Sequence, residues 1–185
     1  MEVFETGFEG LFELKPTVFE DSRGYFYESY NQQVFDEKCS ATRFVQDNQS
    51  KSGKGVLRGL HFQIYPYAQA KLVRVLSGEV LDVVVDLRKD QKTYGKSYKT
   101  KLSQENKRQL FIPRGFAHGF LVLSESAEFF YKCDNFYSKS HERGIIYNDK
   151  ALEIDWLMSE EELLISPKDL ELPAFKDLSP ENLKF

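Results

Sequence analysis

The run "GVLRGLHFQ", Gly55 to Gln63, has the β-rich character of a buried strand, yet it carries Arg58 and His61 with Gly59 between them. In a regular strand Leu57, Gly59, His61 and Gln63 share one face and Arg58 points to the other. Gly59 permits a bulge that re-aims a neighbour, and bulges often lie beside active sites. A second histidine, His118, follows the turn Pro-x-Gly-x-x-His in "IPRGFAHGF". Two histidines on one inner wall raise two chemistries, metal ligation and proton transfer.

The ligand count argues against a metal. The first motif reads His61-Phe62-Gln63, and no glutamate follows before Glu79. Two ligands are too few for a catalytic centre. There is no Gly-rich dinucleotide loop either, so neither metal nor cofactor is expected.

Proton transfer needs a base at a C–H, a cation or donor where negative charge develops, and an acid to return the proton. His61 suits the first role. Lys71 opens the strand "KLVRV" and alternates onto the face of Val73 and Val75, where it could serve as the cation. Tyr131 carries a phenol able to act as the acid. Each has an ordinary alternative: a core histidine, a solvated strand end, a core tyrosine with a satisfied hydroxyl.

The elements that must position these groups are mostly strands. "KLVRVLSGEVLDVVVDLR" holds two β-rich runs broken by Ser77-Gly78, a hairpin-like signal. In its second half Leu81, Val83, Val85 and Leu87 share one face, set in a core, and Asp82 and Asp86 share the other with Val80 and Val84. "RQLFIPRGFAHGFLVLS" reads as another strand pair, broken at Pro113 and Gly115. In "AEFFYKCDNFY", Phe129, Tyr131 and Cys133 face one way, Phe130 and Lys132 the other. Helices are short: one in "NQQVFDEKC", one opened by the capping box of Ser159 and Glu162. The pattern predicts an all-β jelly-roll barrel with short peripheral helices, one domain over residues 1–185.

Composition agrees. The chain is 41% hydrophobic, 29% charged and 15% aromatic, which suits a soluble globular protein with many strands. A net charge of -4 gives no global field for a nucleic-acid polymer, so an anionic ligand must rely on local Arg or Lys. No apolar stretch reaches the length of a membrane span, and the acidic start lacks a signal peptide's features. Two distant cysteines, Cys39 and Cys133, fit a reduced cytoplasmic setting.

Taken in order, "DSRGYFYE", "FVQDNQS", "GVLRGLHFQ", "AQAKLVRVLSGEVLDVVVDLR", "TYGK", "IPRGFAHGF", "YKCDNFY", "YND", "IDW" and "SPKD" resemble the dTDP-4-dehydrorhamnose 3,5-epimerases. The resemblance spans about Val18 to Asp169. It implies a metal-free cupin-type jelly roll that forms a homodimer and acts on a dTDP-sugar. It implies that His61 is the general base, Asp169 its orienting partner, Tyr131 the general acid and Lys71 the cation at the C4 oxygen. It further implies substrate contacts from Arg23, Glu28, Gln46, Asp47, Asn48, Arg58, His118, Glu142 and Lys168, with Tyr137 stacked on the thymine. Part of that set would come from the partner subunit. Spacing alone marks Asp169 only as an exposed loop acid. Two positions depart from the family pattern, Tyr147 before Asn148-Asp149 and Leu157 after Trp156, both outside the implied catalytic set.

The expected function is therefore 3,5-epimerisation of dTDP-4-dehydro-6-deoxy-D-glucose in dTDP-L-rhamnose biosynthesis. The alternatives are a single-carbon epimerase of another 4-keto nucleotide sugar, a metal-dependent cupin, and a jelly roll that only binds carbohydrate or nucleotide.

Overall fold

The computed structural model describes residues 1–185, apart from the side chains at 180 and 182. Two antiparallel sheets face each other. The first has the order β1 (Glu2–Glu5), β2 (Phe12–Lys15), β10 (Gln109–Ile112), β7 (Lys71–Ser77), β12 (Ser126–Cys133), β5 (Gln46–Gly53). The second runs β13 (Glu142–Gly144), β6 (Val56–Gln63), β11 (Phe116–Val122), β8 (Glu79–Asp86), β9 (Ser97–Ser103), and β14 (Leu164–Ile165) adds to β6 in parallel. A small hairpin, β3 (Phe19–Asp21) and β4 (Gly24–Phe26), pairs with neither sheet. This is the expected jelly roll, and its sheets interleave sequence-distant strands.

The Ser77-Gly78 break is a corner and not a hairpin. β7 and β8 lie in different sheets, and so do β10 and β11. Gly78 turns the corner at φ +80°, and a Cβ there would stand 2.1 Å from the Ser126 carbonyl oxygen. The tight dipeptide is the same in both cases; only long-range partners decide whether the strands pair or part.

Three apolar layers follow from strand alternation. Val73, Val75, Val80, Val84, Leu110 and Phe129 fill the space between the sheets. Leu57, Leu60, Leu81, Val83, Val85 and Leu121 face outward from the second sheet, under Ile145, Leu152 and Trp156 of the C-terminal third. Strand β8 is thus buried on both faces, where alternation predicted one, because the long C-terminal segment roofs its outer side. The third layer lies on the outer face of the first sheet, where α1 (Gln32–Lys38) sets Phe35 against Leu14, Leu72 and Phe111. Asn31 caps that helix by accepting from the Val34 N–H. Full burial of a ring such as Phe35 is worth about 2–3 kcal/mol. The predicted capping box at Ser159 and Glu162 forms, on a single 3₁₀ turn, Glu160–Glu162. At the two departures from the family pattern, Tyr147 is buried under the roof and its carbonyl accepts from Trp156 Nε1–H, while Leu157 is exposed.

Candidate active site

The strand that carries Arg58 and His61 is irregular in the middle. His118 pairs with His61, but Phe120 pairs with Arg58, so β6 gains one residue over β11 between those points. Gly59 takes φ +126°, and a Cβ there would lie 2.5 Å from the Gly119 Cα. The extra residue shifts the alternation: Leu57 and Leu60 go to the outer layer, and Arg58 and His61 both open into one cavity. The expectation that His61 and Leu57 share a face fails for this reason.

The cavity has a volume of about 470 Å³ and opens between the sheets. His61, Arg58 and His118 line it from the second sheet, and Lys71, Tyr131 and Ser50 from the first. Phe120 and Phe129, stacked at 4.2 Å, make an apolar wall with Val56 and Leu164. Lys71 Nζ lies 5.7 Å from the centre of the Tyr131 ring.

His61 Nε2 is 2.7 Å from Asp169 Oδ1. Asp169 sits on α2 (Pro167–Leu170), whose N-cap Ser166 accepts from the Asp169 N–H. Its other oxygen accepts from the Gly59 N–H at 3.4 Å. Asp169 is only 4% exposed, so the sequence reading of an exposed loop acid is overturned. The chain after β14 folds it back onto β6, a contact that no local pattern announces. Burial alone raises the carboxyl's pKa, but the hydrogen bond and charge of His61 and the Gly59 N–H outweigh it and hold Asp169 below the usual carboxylate range. Burial pushes the Lys71 ammonium down, against the pull of Cys133, Asp82 and Glu142. Burial also pushes the Tyr131 phenol up, to about 12.

Arg58 donates to Ser52 Oγ through Nε and Nη2, at 3.2 and 3.1 Å, and the residue is exposed at the cavity mouth. Three further predicted residues meet beside it: Glu142 Oε2 accepts from Lys168 Nζ and from the Tyr137 hydroxyl. Burial raises the Glu142 pKa, but the Lys168 ammonium more than reverses this. Gln46 and Asn48 are on the inner face of β5. Gln46 Oε1 accepts from the Tyr137 N–H at 3.1 Å, and Gln46 Nε2 donates to Asn48 Oδ1 at 3.0 Å.

Three predicted residues lie elsewhere in this chain. Asp47 alternates onto the outer face of β5 and pairs with Lys132 Nζ at 2.9 Å. Arg23 sits on the β3–β4 hairpin, 88% exposed and paired with Asp21. Glu28 follows that hairpin and accepts from Asn31 Nδ2–H. Neither Arg23 nor Glu28 lines the cavity. One site group was missed: His118 Nε2 is 2.9 Å from Asp82 Oδ2. The signal for it was a lone acid between Val80 and Val84 on the inner face of an apolar strand.

Residues 5–177 match the family model described as dTDP-4-dehydrorhamnose 3,5-epimerase. The chain is similar to the dTDP-4-dehydrorhamnose 3,5-epimerase of Shigella flexneri, 54% identical over 96% of this chain and 97% of that one. Its counterpart from Pseudomonas aeruginosa is 56% identical over 90% and 91%. Among solved structures, the dTDP-6-deoxy-D-glucose-3,5-epimerase of Legionella pneumophila, in complex with dTDP-4-keto-L-rhamnose, superposes with a TM-score of 0.93. It is 45% identical and the match covers 99% of this chain and 97% of that one.

Proposed function

The chain belongs to the dTDP-4-dehydrorhamnose 3,5-epimerase family, and from that membership and the site's geometry we propose that it is an isomerase that inverts C3 and C5 of dTDP-4-dehydro-6-deoxy-D-glucose, giving dTDP-4-dehydro-L-rhamnose for dTDP-L-rhamnose biosynthesis. One observation carries the reading: His61 and Tyr131 reach a single cavity from opposite sheets, with Lys71 beside Tyr131.

The C4 ketone acidifies the protons at C3 and C5, because loss of either gives an enolate. With its Nε2–H donated to Asp169, His61 keeps the other ring nitrogen free to take the proton. Asp169 remains ionised and supports the imidazolium. Lys71 holds the oxyanion that forms at C4. Tyr131, kept protonated by its raised pKa, delivers a proton to the opposite ring face, and that carbon inverts. The phenolate regains a proton from solvent, His61 sheds its own, and a second round inverts the other carbon. A positioned acid or base contributes ~10²–10⁴ in rate. Arg58 at the mouth suits the diphosphate, since its planar fork makes charge-assisted hydrogen bonds. Tyr137, held by Glu142, suits the thymine.

A homodimer supports the rest of the predicted set. The β3–β4 hairpin carries Arg23 away from its own cavity and exposes Phe19, Tyr25 and Phe26. In this reading it lies against a second copy and brings Arg23 to that copy's diphosphate. A cytoplasmic setting is in keeping with two unpaired cysteines, and no helix among the described residues is long and apolar enough to cross a membrane.

The test is incubation with dTDP-4-dehydro-6-deoxy-D-glucose in D₂O, followed by NMR. Deuterium at both C3 and C5 with the L-lyxo product is expected. Deuterium at one carbon only replaces the reading with a single-carbon epimerase, and none at either overturns it.

A further inference from the structure

Asp82 is fully buried between the sheets, and the mechanism above does not use it. One carboxylate oxygen is bonded to His118 Nε2; the other, Oδ1, has no hydrogen-bond partner among the described residues. Its neighbours on the inner face of β8 are Val80 and Val84. A buried carboxylate in such surroundings costs several kcal/mol unless a cation or donors compensate. The groups that face it are few. β11 presents His118, β9 presents the uncharged Thr100 across the ladder, and β7 on the other sheet presents Lys71. Lys71 is faced in turn by Tyr131 and Cys133 of β12 and by the charge of Glu142. Neither Asp82 oxygen reaches the cavity, so this residue cannot touch a ligand there.

Resting on the epimerase reading, we propose that Asp82 is a positioning residue: it locks the His118 ring through Nε2 and supplies a countercharge to Lys71, the cation at the C4 oxyanion. Three features argue together for it. The Nε2 contact fixes the plane of an imidazole that lines the cavity beside His61, its partner across the ladder. The unpartnered oxygen has no hydrogen-bond donor among the described residues, and Lys71 is an ammonium that feels its charge. Burial strips the Lys71 ammonium of hydration, and Asp82 opposes that loss.

The experiment is Asp82→Asn, which preserves shape and removes the charge. We expect kcat to fall about 10–100-fold with KM changed less than about threefold. The alkaline limb of the kcat profile should also move down, because Lys71 then loses its proton earlier. A purely structural role moves neither the limb nor the kcat-to-KM split. A second measurement needs no substitution and covers an unstable variant. In ¹⁵N-labelled wild type, the neutral His118 ring should be the Nε2-protonated tautomer. The Nδ1-protonated tautomer, or an active wild type beside an Asp82→Asn enzyme with unchanged kcat and alkaline limb, overturns this inference alone. A wild type that exchanges no α-proton defeats the epimerase reading and this inference with it.

Discussion

Asp169 Oδ1 lies 2.7 Å from His61 Nε2 across 108 residues of chain, and the same carboxylate accepts the Gly59 N–H beside the strand irregularity. The carboxylate thus ties the base to the distortion that aims it. Replacement of His61 by Ala should lower kcat by ~10²–10⁴ while the protein stays folded, with some loss of thermal stability because the buried Asp169 carboxylate loses its partner. Full activity in the folded variant would remove His61 from the mechanism.

The dyad also links pH to stability. The Asp169 carboxyl is held below its ordinary value in the fold. Its contribution is therefore present above the unfolded carboxyl's pKa, about 3.9, and fades as pH falls through the lowered folded value. The Tm difference between wild type and Asp169→Asn should be steady near neutrality and shrink below about pH 4. A difference as large at pH 3 as at pH 7, by calorimetry, contradicts the linkage.

Tyr131 returns the proton in this scheme but does not remove it. Tyr131→Phe should therefore retain α-proton exchange into D₂O while product formation drops by ~10² or more. NMR of deuterium content against product stereochemistry reads both at once. Equal loss of the two would assign Tyr131 to some other step.

Gly59 has no room for a side chain. Gly59→Ala combines a positive φ with a Cβ 2.5 Å from the Gly119 Cα, and should cost about 3 kcal/mol or more of stability. Urea denaturation measures it; an unchanged midpoint would mean that β6 adjusts freely.

The shared-site reading has its own signature. Arg23→Ala and His61→Ala, each nearly inactive at low substrate, should regain about a quarter of wild-type activity when co-expressed in equal amounts. Half of the dimers are then mixed, each with one intact site. No recovery in verified mixed dimers would place Arg23 in the service of its own chain.

The sequence determined which groups were available for chemistry. An imidazole, an ammonium and a phenol stood on strands whose alternation was legible, and Tyr131 and Lys71 face the interior as that alternation required. The short helix at Asn31 was legible as well, and so were the ordered motifs that mark the family. Alternation within a strand is a local property, set by backbone geometry. What tertiary structure decided was everything that depends on a distant partner. The extra residue at Gly59 brought Arg58 and His61 to one face, although a period of two had separated them. Pairing sent β7 and β8 to opposite sheets across a turn that looked like a hairpin. The fold-back of residues after β14 buried Asp169 against His61, and alternation along the edge strand turned Asp47 away from the cavity. Such contacts close long loops and are chosen by burial and hydrogen bonding summed over the whole barrel, so no short window of sequence contains them.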